Sequence, residues 1–198
     1  MTVRDLPPPI SLSPCWQIVA PGQVPGSGRL HIVIAPGASF GDGTHPTTQL
    51  CLQAIAALAP RGRSGWRLLD FGCGNGVLAI GAARLGASVD AIEIDATAIA
   101  EAERNARLNA VDDRIRFAHT LDGAVGPFDL VVANILRPVL LEHAVGLVGL
   151  LAAGGALLLS GLVATDVPAI SARFSPLLDG RRPEVFEQGE WRELVWRA

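Results

Sequence analysis

The segment DFGCGNG, residues 70–76, joins a short apolar run at 67–71 to a helical pattern at 77–85. Glycine alternates with other residues in this segment, and only glycine lets a backbone turn this tightly and lie against a ligand without a side-chain collision. A strand, a glycine-rich turn and a helix in this order are typical of ligand-binding α/β folds. We therefore predict a cofactor-binding loop here, with a tight structural turn as the alternative. The residues predicted to bind the cofactor are Asp70, Gly72, Gly74 and Gly76.

Apolar strands and amphipathic helices alternate outward from this segment. Strands are predicted at 67–71, 88–93, 114–118, 128–133 and 156–160, and helices at 77–85, 97–109, 138–151 and 165–177. Such alternation indicates a parallel sheet covered by helices on both faces. The last two runs, 183–187 and 191–196, resemble a hairpin. We therefore predict a doubly wound α/β fold with a mostly parallel seven-stranded sheet and a C-terminal antiparallel hairpin.

The composition indicates one compact domain. The chain has 198 residues, of which 49% are hydrophobic, and this is enough for one core but too little for two ordinary domains. A net charge of −3 argues against bulk nucleic acid or an anionic membrane as a partner. The three cysteines are widely spaced and form no C-x-x-C pair, so they predict neither a disulfide framework nor a metal site. A reducing cytoplasm fits this pattern.

The chain divides by composition near residue 40. Residues 1–39 are rich in proline and glycine, with short extended pieces at 16–19 and 30–34, and they carry no secretory signal. We predict an irregular lead-in packed on the edge of the domain formed by residues 40–198. The first helix of that domain is predicted to end by Pro60, with Thr47 or Thr48 near its amino-terminal cap.

The stretch 144–164 lacks charged residues and is about as long as a membrane span. Gly154 and Gly155 divide it, and Glu142 and His143 stand at its head. Its two halves fit a helix followed by a buried strand, so we reject a membrane-spanning segment.

The spacing of the glycines bears on the ligand. A dinucleotide-binding loop requires a third glycine three positions after the second, where this chain has Val77. A nicotinamide oxidoreductase is therefore disfavoured. The observed G-x-G-x-G spacing suits a ligand without a pyrophosphate.

Two polar residues follow buried strands of the predicted sheet. Glu93 ends the second core strand, where a carboxylate can accept both hydroxyl hydrogens of a ribose. A charge at the start of the next helix is the alternative, which fits Asp95 better. Asn134 ends the strand at 128–133, and its amide could hold the accepting nitrogen of a substrate. A turn-capping asparagine is an equal alternative.

The segment FGDGTHPTT, residues 40–48, is dense in glycine and hydroxyl groups just before a helix. It predicts a lid over a bound ligand, and a capped loop is the alternative. His45 is the histidine that this setting selects, and with Asn134 it is predicted to lie at the reacting centre. The other histidines share no metal-ligand spacing with it.

Four motifs carry a resemblance to a known family. They are FG and GTHPTT within 40–48, LDFGCG with Gly76 at 69–76, VANIL at 132–136 and LSG at 159–161. Together they resemble the catalytic domain of the ribosomal protein methyltransferase family called PrmA, which methylates a large-subunit ribosomal protein. The similarity runs from about residue 16 to residue 191.

The resemblance implies that S-adenosylmethionine is the cofactor and S-adenosylhomocysteine the product. It implies that Thr48, Gly72, Glu93 and Asn134 contact this cofactor or line its pocket. The chain departs from the family at Asp42, where threonine is usual, at Asn75, where serine is common, and at Glu93, where aspartate is usual.

The same resemblance leaves the substrate open. Family members usually carry an amino-terminal domain that recognises the ribosomal protein, and only about 40 residues precede the lid here. The expected reaction is N-methylation of a protein amine, on a ribosomal protein or on a different protein. The alternatives are a small amine, an RNA, which the low basic content disfavours, and a non-catalytic module that binds S-adenosylmethionine.

Overall fold

The computed structural model describes residues 10–12, 16–26, 30–60, 62 and 64–198. The strands of this part are β1 (Ile10–Leu12), β2 (Trp16–Val19), β3 (Leu30–Val33), β4 (Arg67–Phe71), β5 (Ser88–Ile92), β6 (Ile115–Ala118), β7 (Phe128–Asn134), β8 (Leu151–Val163), β9 (Glu184–Gln188) and β10 (Trp191–Arg197). The α-helices are α1 (Pro46–Leu58), α2 (Val77–Arg84), α3 (Ala96–Leu108), α4 (Arg137–Gly149) and α5 (Val167–Phe174).

Seven strands form one sheet in the order β6-β5-β4-β7-β8-β10-β9. The first five of these are parallel to their neighbours, whereas β10 runs antiparallel to both β8 and β9. The predicted mostly parallel sheet with a C-terminal hairpin is therefore confirmed. The hairpin does more than extend the edge, because β10 lies between β8 and β9.

The core has two parts, one on each face of the sheet. Successive residues of a strand point to opposite faces, so Leu68 packs toward α1 and α2 while Leu69 packs toward α4 and α5. The neighbouring strands β7 and β8 divide their side chains in the same way. Helices thus cover both faces of the sheet. The polar residues predicted for the site, Glu93 and Asn134, lie at the carboxyl ends of its strands.

The strand order reverses between β4 and β7. From β4 the chain proceeds to β5 and β6 on one side, and from β7 to β8 on the other. Ligands of open α/β sheets bind in the crevice at such a switch point, outside the carboxyl ends of the strands. The glycine segment follows β4, so the topology places it at this crevice.

The two extended pieces predicted before residue 40 are β2 and β3, which pair in parallel, while β1 runs antiparallel to β2. Trp16 and Ile32 are fully buried in the core beneath α1 and α2, and the Trp16 indole donates to the Leu52 carbonyl at 3.1 Å. The division of the chain at residue 40 stays a prediction. Residues 1–9, 13–15 and 27–29 of the predicted lead-in, with Cys15, lie outside the described residues.

The uncharged stretch at 144–164 belongs to the sheet and one of its covering helices. α4 ends at Gly149, and β8 continues from Leu151 to Val163 beside β7. A Cβ atom on Gly155 would lie 3.0 Å from the Phe128 carbonyl oxygen, so glycine lets the two strands approach each other there. In the part of the chain that the structure describes, no helix has the length and apolarity needed to cross a membrane.

The start of α1 differs from the prediction. His45, and not Thr47 or Thr48, is the capping residue, and its ring nitrogen accepts from the Thr47 backbone N–H. Pro46 lies in the first helical turn. A backbone N–H at this position would have no acceptor within the helix, so proline costs no hydrogen bond there. Both threonines consequently lie within the first turn of the helix, where they are buried. Asp95 caps α3, as predicted.

Candidate functional site

The glycine segment forms a tight loop between β4 and α2. Gly72, Gly74 and Gly76 have positive φ angles of 82°, 54° and 84°, a region that other residues rarely adopt. The backbone N–H groups of Gly72 and Cys73 donate to the Ile92 carbonyl at 2.8 and 3.0 Å. These bonds fix the loop to the end of β5.

The lid, residues 40–48, rests directly on this loop. The Asn75 backbone N–H donates to the Phe40 carbonyl at 3.3 Å. A Cβ atom on Gly74 would lie 2.9 Å from the same carbonyl oxygen, which is closer than backbone contacts allow. The absence of a side chain at Gly74 is therefore what permits the lid to approach the loop.

Glu93 reaches the glycine loop from the end of β5. Its Oε2 accepts from the Gly74 backbone N–H at 3.0 Å, and its Oε1 accepts from the Asp95 backbone N–H at 3.1 Å. The side chain is half-buried, and an ionised carboxylate has further lone pairs for hydroxyl donors. The structure thus brings together Glu93 and the glycine loop.

Asn134 lies across the switch point and is joined to the lid. Its Nδ2 donates to Oγ1 of Thr47 at 3.1 Å, and Thr47 Oγ1 lies 2.8 Å from Nδ1 of His45. Because Thr47 accepts from Asn134, its own hydroxyl hydrogen can be donated to His45. The Nδ1 atom of a neutral His45 is then an acceptor, which places the ring proton on Nε2.

His45 is held between two aromatic rings. The Phe40 ring meets it edge to face with centroids 5.0 Å apart, and the Trp191 ring does so from the other side at 4.6 Å. Trp191 belongs to β10, so the C-terminal hairpin supplies one wall of the site. Edge-to-face packing of this kind fixes the plane of the imidazole.

Asp70 lies beneath the loop, where it is fully buried. Its Oδ2 accepts from the Ala79 backbone N–H at 3.0 Å, which supports the first turn of α2. Burial raises the pKa of Asp70 to about 7, opposed by the Ala79 hydrogen bond and increased by the charge of Glu93. Asp70 reaches the site through the loop that it supports, and a direct contact with a cofactor stays a prediction.

Thr48 is also buried, and its Oγ1 has no hydrogen-bond partner among the described residues. It lies next to Thr47 in the first turn of α1, one residue from the chain of bonds that ends at Asn134. Its predicted contact with a cofactor stays a prediction.

Thr47 and Trp191 are site residues that the sequence reasoning missed. The TT pair in the lid was a usable signal for Thr47, since a hydroxyl two residues after a capping histidine can reach its ring. Trp191 offered no comparable signal, because its place beside His45 depends on the insertion of β10 between β8 and β9.

These residues define the class of the protein. A glycine loop follows the first strand of a seven-stranded sheet, an acid ends the next strand, and an asparagine ends β7 across the switch point. A solved RNA methyltransferase from Salinibacter ruber, in complex with S-adenosylhomocysteine, has the same fold with a TM-score of 0.59 at 20% identity, covering 77% of this chain and 93% of that one. The domain has the fold of a class I methyltransferase, the class that uses S-adenosylmethionine as its cofactor.

The chain belongs to the ribosomal protein L11 methyltransferase (PrmA) family, whose model matches residues 9–198. It is 42% identical over 171 residues to the ribosomal protein L11 methyltransferase of Thiobacillus denitrificans, covering 86% of this chain and 56% of that protein. It resembles the crystal structure of the ribosomal protein L11 methylase of Lactobacillus delbrueckii at 32% identity and a TM-score of 0.82, covering 96% and 98% of the two chains. The chain spans little more than half the length of the curated relative.

Proposed function

We propose that this chain transfers a methyl group from S-adenosylmethionine to a protein amine, with ribosomal protein L11 as the first candidate substrate. The observation that carries this proposal is the bond between Asn134 and Thr47, which places a polar amide beneath the lid at the mouth of β7. The names of the relatives support a protein substrate. A ribosomal substrate would place the activity in the cytoplasm.

We assign catalysis to residues 40–198 and cofactor binding to the groups beside β4 and β5. Gly72, Gly74 and Gly76 keep the loop free of side chains, and an added Cβ on Gly74 would enter the space beneath Phe40. Glu93 presents a half-buried carboxylate suited to ribose hydroxyls. Asp70 and Thr48 complete the residues proposed to bind the cofactor. Asp70 supports the first turn of α2, and Thr48 lies in the first turn of α1.

S-adenosylmethionine supplies an electrophilic methyl group bound to a sulfonium sulfur. The leaving group of the transfer is a neutral thioether. The residues of this chain therefore have to position and desolvate the acceptor more than protonate a leaving group. Asn134 uses Nδ2 to bind Thr47, so we assign its Oδ1 to accept an N–H of the acceptor amine. This bond would orient the nitrogen of the acceptor amine at the mouth of β7.

His45 acts in this proposal as part of the wall around the acceptor. Its ring is fixed by Thr47, Phe40 and Trp191, so the acceptor would meet an aromatic wall on this side of the crevice. An apolar surrounding disfavours the ammonium form of an amine and so lowers its pKa, which increases the fraction able to attack.

The first experiment is calorimetric titration with S-adenosylmethionine, S-adenosylhomocysteine and NAD. We expect the first two to bind, and Glu93→Gln to weaken both by roughly 10- to 100-fold, the loss typical of a charged hydrogen-bond acceptor. Glu103→Gln is the matched control, because Glu103 is a half-buried residue of α3 that pairs with Arg107 on the helix surface. Binding of NAD alone would contradict the class of cofactor proposed.

The second experiment measures methyl transfer by mass spectrometry. Purified ribosomal protein L11 is the protein acceptor, with free lysine and a ribosomal RNA fragment as competing acceptors. We expect methylation of the protein, lost in Asn134→Ala while cofactor affinity is largely retained. Transfer to free lysine or to RNA in its place would overturn the substrate class, and cofactor binding without transfer to any acceptor would favour a binding module.

A further inference from the structure

A glutamine in the first turn of α1 folds back over the lid. Nε2 of Gln49 donates to the carbonyl oxygens of Gly43 and Thr44, each at 3.2 Å. Gly43 is buried with a φ of 88°, and a Cβ atom there would collide with the Ile18 side chain of β2. The lid segment just before His45 therefore contacts β2 and is bonded to α1.

The C-terminal hairpin reaches the same glutamine. Nε2 of Gln188 donates to Oε1 of Gln49 at 3.0 Å, although 139 positions separate the two residues in the chain. Gln188 pairs with Trp191 across the hairpin, and the Trp191 ring lies 4.6 Å from the His45 ring between centroids. One pair of residues beside the turn thus reaches the lid by two routes, a hydrogen bond through Gln49 and an aromatic contact with His45.

The turn of this hairpin is short and braced. It has two residues, and the first, Gly189, has the positive φ angle, 61°, that two-residue hairpin turns favour at this position. Nη1 of Arg192 donates to the carbonyl oxygens of Gly189 and Trp191 at 3.0 and 2.9 Å, and its Nη2 lies 3.2 Å from Oε2 of Glu187. These bonds give the lid a well-defined support.

The chemistry of the partners determines which way both glutamine amides face. A backbone carbonyl can only accept, so the two carbonyls of the lid require the NH2 group of Gln49 on their side. The oxygen of Gln49 then faces the hairpin, where it requires a donor, and Gln188 supplies one. The donor at position 188 therefore holds the Gln49 amide in the orientation that binds the lid.

We propose that Gln49 and Gln188 are positioning residues for methyl transfer, because together they fasten the lid to the C-terminal hairpin. This inference rests on the proposed amine methylation. We call the bond between the two glutamines and the two bonds from Gln49 to the lid carbonyls the latch.

The latch acts on the acceptor side of the site. Thr44 directly precedes His45, and His45 is joined by hydrogen bonds to Asn134, the residue assigned to the acceptor amine. A lid released from Gln49 leaves this chain of bonds without support at its outer end, so the amine is held less precisely. Glu93 keeps its own bond to the glycine loop, so cofactor binding depends less on the latch.

A change of hydrogen-bonding character at position 188 tests the latch without altering the lid. Gln188→Glu has nearly the same shape but is an acceptor only when ionised at pH 8, so Gln49 has to turn its NH2 group toward the hairpin and its oxygen toward the lid carbonyls. Gln188→Lys keeps a donor and is the matched variant. Gln53→Glu introduces the same charge at an exposed position of α1 and is the control.

Hydrogen exchange of the whole chain, followed by NMR at pH 8, measures release of the lid without any substrate. The backbone N–H groups of Thr47 and Gln49 donate to His45, and that of Asn75 donates to the Phe40 carbonyl. The exchange rates of these three amides therefore report on both ends of the lid.

We expect these amides to exchange about 10-fold faster in Gln188→Glu than in the wild type, and at the wild-type rate in Gln188→Lys and Gln53→Glu. Equal rates in all four proteins would overturn the latch. If Gln188→Glu does not fold, Gln49→Glu places a carboxylate against the same two lid carbonyls and decides the matter.

The second test separates kcat from cofactor affinity, with ribosomal protein L11 as the acceptor at pH 8. We expect Gln188→Glu to lower kcat by about 10-fold while the Kd for S-adenosylmethionine changes little, and Gln188→Lys to restore kcat. An unchanged kcat in a folded variant whose lid amides exchange faster would overturn the positioning role. Absence of methyl transfer by the wild type would overturn the proposed function instead, and the exchange rates would still test the latch.

Discussion

Nδ2 of Asn134 donates a hydrogen bond to Oγ1 of Thr47 at 3.1 Å, although 87 positions separate the two residues in the chain. The bond joins the carboxyl end of β7 to the first turn of α1, and Thr47 extends it to His45 of the lid. An amide that would otherwise rotate at a strand end is thereby held in one orientation. Thr47 is therefore a positioning residue for Asn134 and for the lid.

Thr47→Val tests this relationship. Valine has nearly the same shape but lacks the hydroxyl, so the bonds to Asn134 and His45 are both lost. We expect kcat to fall by about 10- to 100-fold, because small errors in the position of a reacting group are costly, while cofactor affinity changes little. Thr44→Val is the matched control, since the Thr44 hydroxyl is exposed and donates to Asp42. Equal kcat values for the two variants would contradict the positioning role.

Gly74→Ala tests the contact between the lid and the glycine loop. The new Cβ would meet the Phe40 carbonyl oxygen at 2.9 Å, and the residue has a φ of 54°. We expect a loss of about 1–2 kcal/mol in the free energy of unfolding and weaker binding of S-adenosylmethionine, because the left-handed backbone disfavours a side chain and the lid must move. Urea denaturation and calorimetry measure the two effects.

Gly149→Ala provides the comparison for that variant. Gly149 ends α4, is exposed, and has open space where its Cβ would lie. Alanine has the higher helix propensity, so we expect unchanged binding and a small gain in stability, up to about 1 kcal/mol. If Gly74→Ala were equally harmless, the close approach of the lid to the loop would not exist in solution.

Asn105→Ala tests how α3 supports the site. Oδ1 of Asn105 accepts from the Ala35 backbone N–H at 3.1 Å, and its Nδ2 donates to the Asn75 carbonyl of the glycine loop at 3.0 Å. The variant leaves both backbone groups without these partners, so we expect the free energy of unfolding to fall by about 2–4 kcal/mol. Arg107→Ala, an exposed change on the same helix, should cost less than about 0.5 kcal/mol. Similar losses in urea denaturation for both variants would contradict this account.

The two buried acids predict an unusual pH dependence of stability. Burial raises the pKa of Asp70 from 3.8 and that of Glu193 from 4.5, each to about 7. Between the ordinary and the raised pKa values, the folded chain binds more protons than the unfolded chain. The contribution of these two acids to the free energy of unfolding is therefore lost as pH rises through this window. For Glu193 the loss amounts to about 3 kcal/mol between pH 4.5 and pH 8.

Urea denaturation at pH 5 and pH 8 checks this prediction. We expect Glu193→Gln to be less sensitive to pH than the wild type over this range and to be the more stable of the two at pH 8, where the wild type must hold a buried carboxylate. Glu190→Gln should follow the wild type. A wild type that gains stability steadily from pH 5 to pH 8, to the same extent as Glu193→Gln, would show that Glu193 is ionised without cost.

The fold and half of the site could be predicted because their signals are local. Alternating strands and helices predicted the sheet, and the glycine segment predicted its ligand-binding loop, since positive φ angles leave few residue types other than glycine. Glu93 and Asn134 were selected because each ends a buried strand, and in a parallel sheet such ends meet at one edge. The position of each residue along its own element sufficed for these predictions.

The capping residue of α1 could not be predicted from local sequence preferences. The sequence favoured Thr47 or Thr48 as the cap, because hydroxyl side chains commonly fill that role. His45 fills it instead, and both threonines turn into the protein, where Thr47 meets Asn134. Asn134, 87 positions away, competes with the local preference of threonine for the cap. The residues that neighbour Thr47 in sequence do not indicate this partner.

The linear sequence determined the alternation of elements, the glycine loop and the polar residues at strand ends, because periodicity and backbone conformation act over a few residues. Tertiary structure alone decided the bond from Asn134 to Thr47, the Trp191 wall beside His45 and the burial of Glu193 against Cys51. Each of these depends on β10 entering between β8 and β9 and on α1 packing across both β8 and β10. Such packing brings together groups from distant parts of the chain, and only their common burial in one core makes their contact favourable.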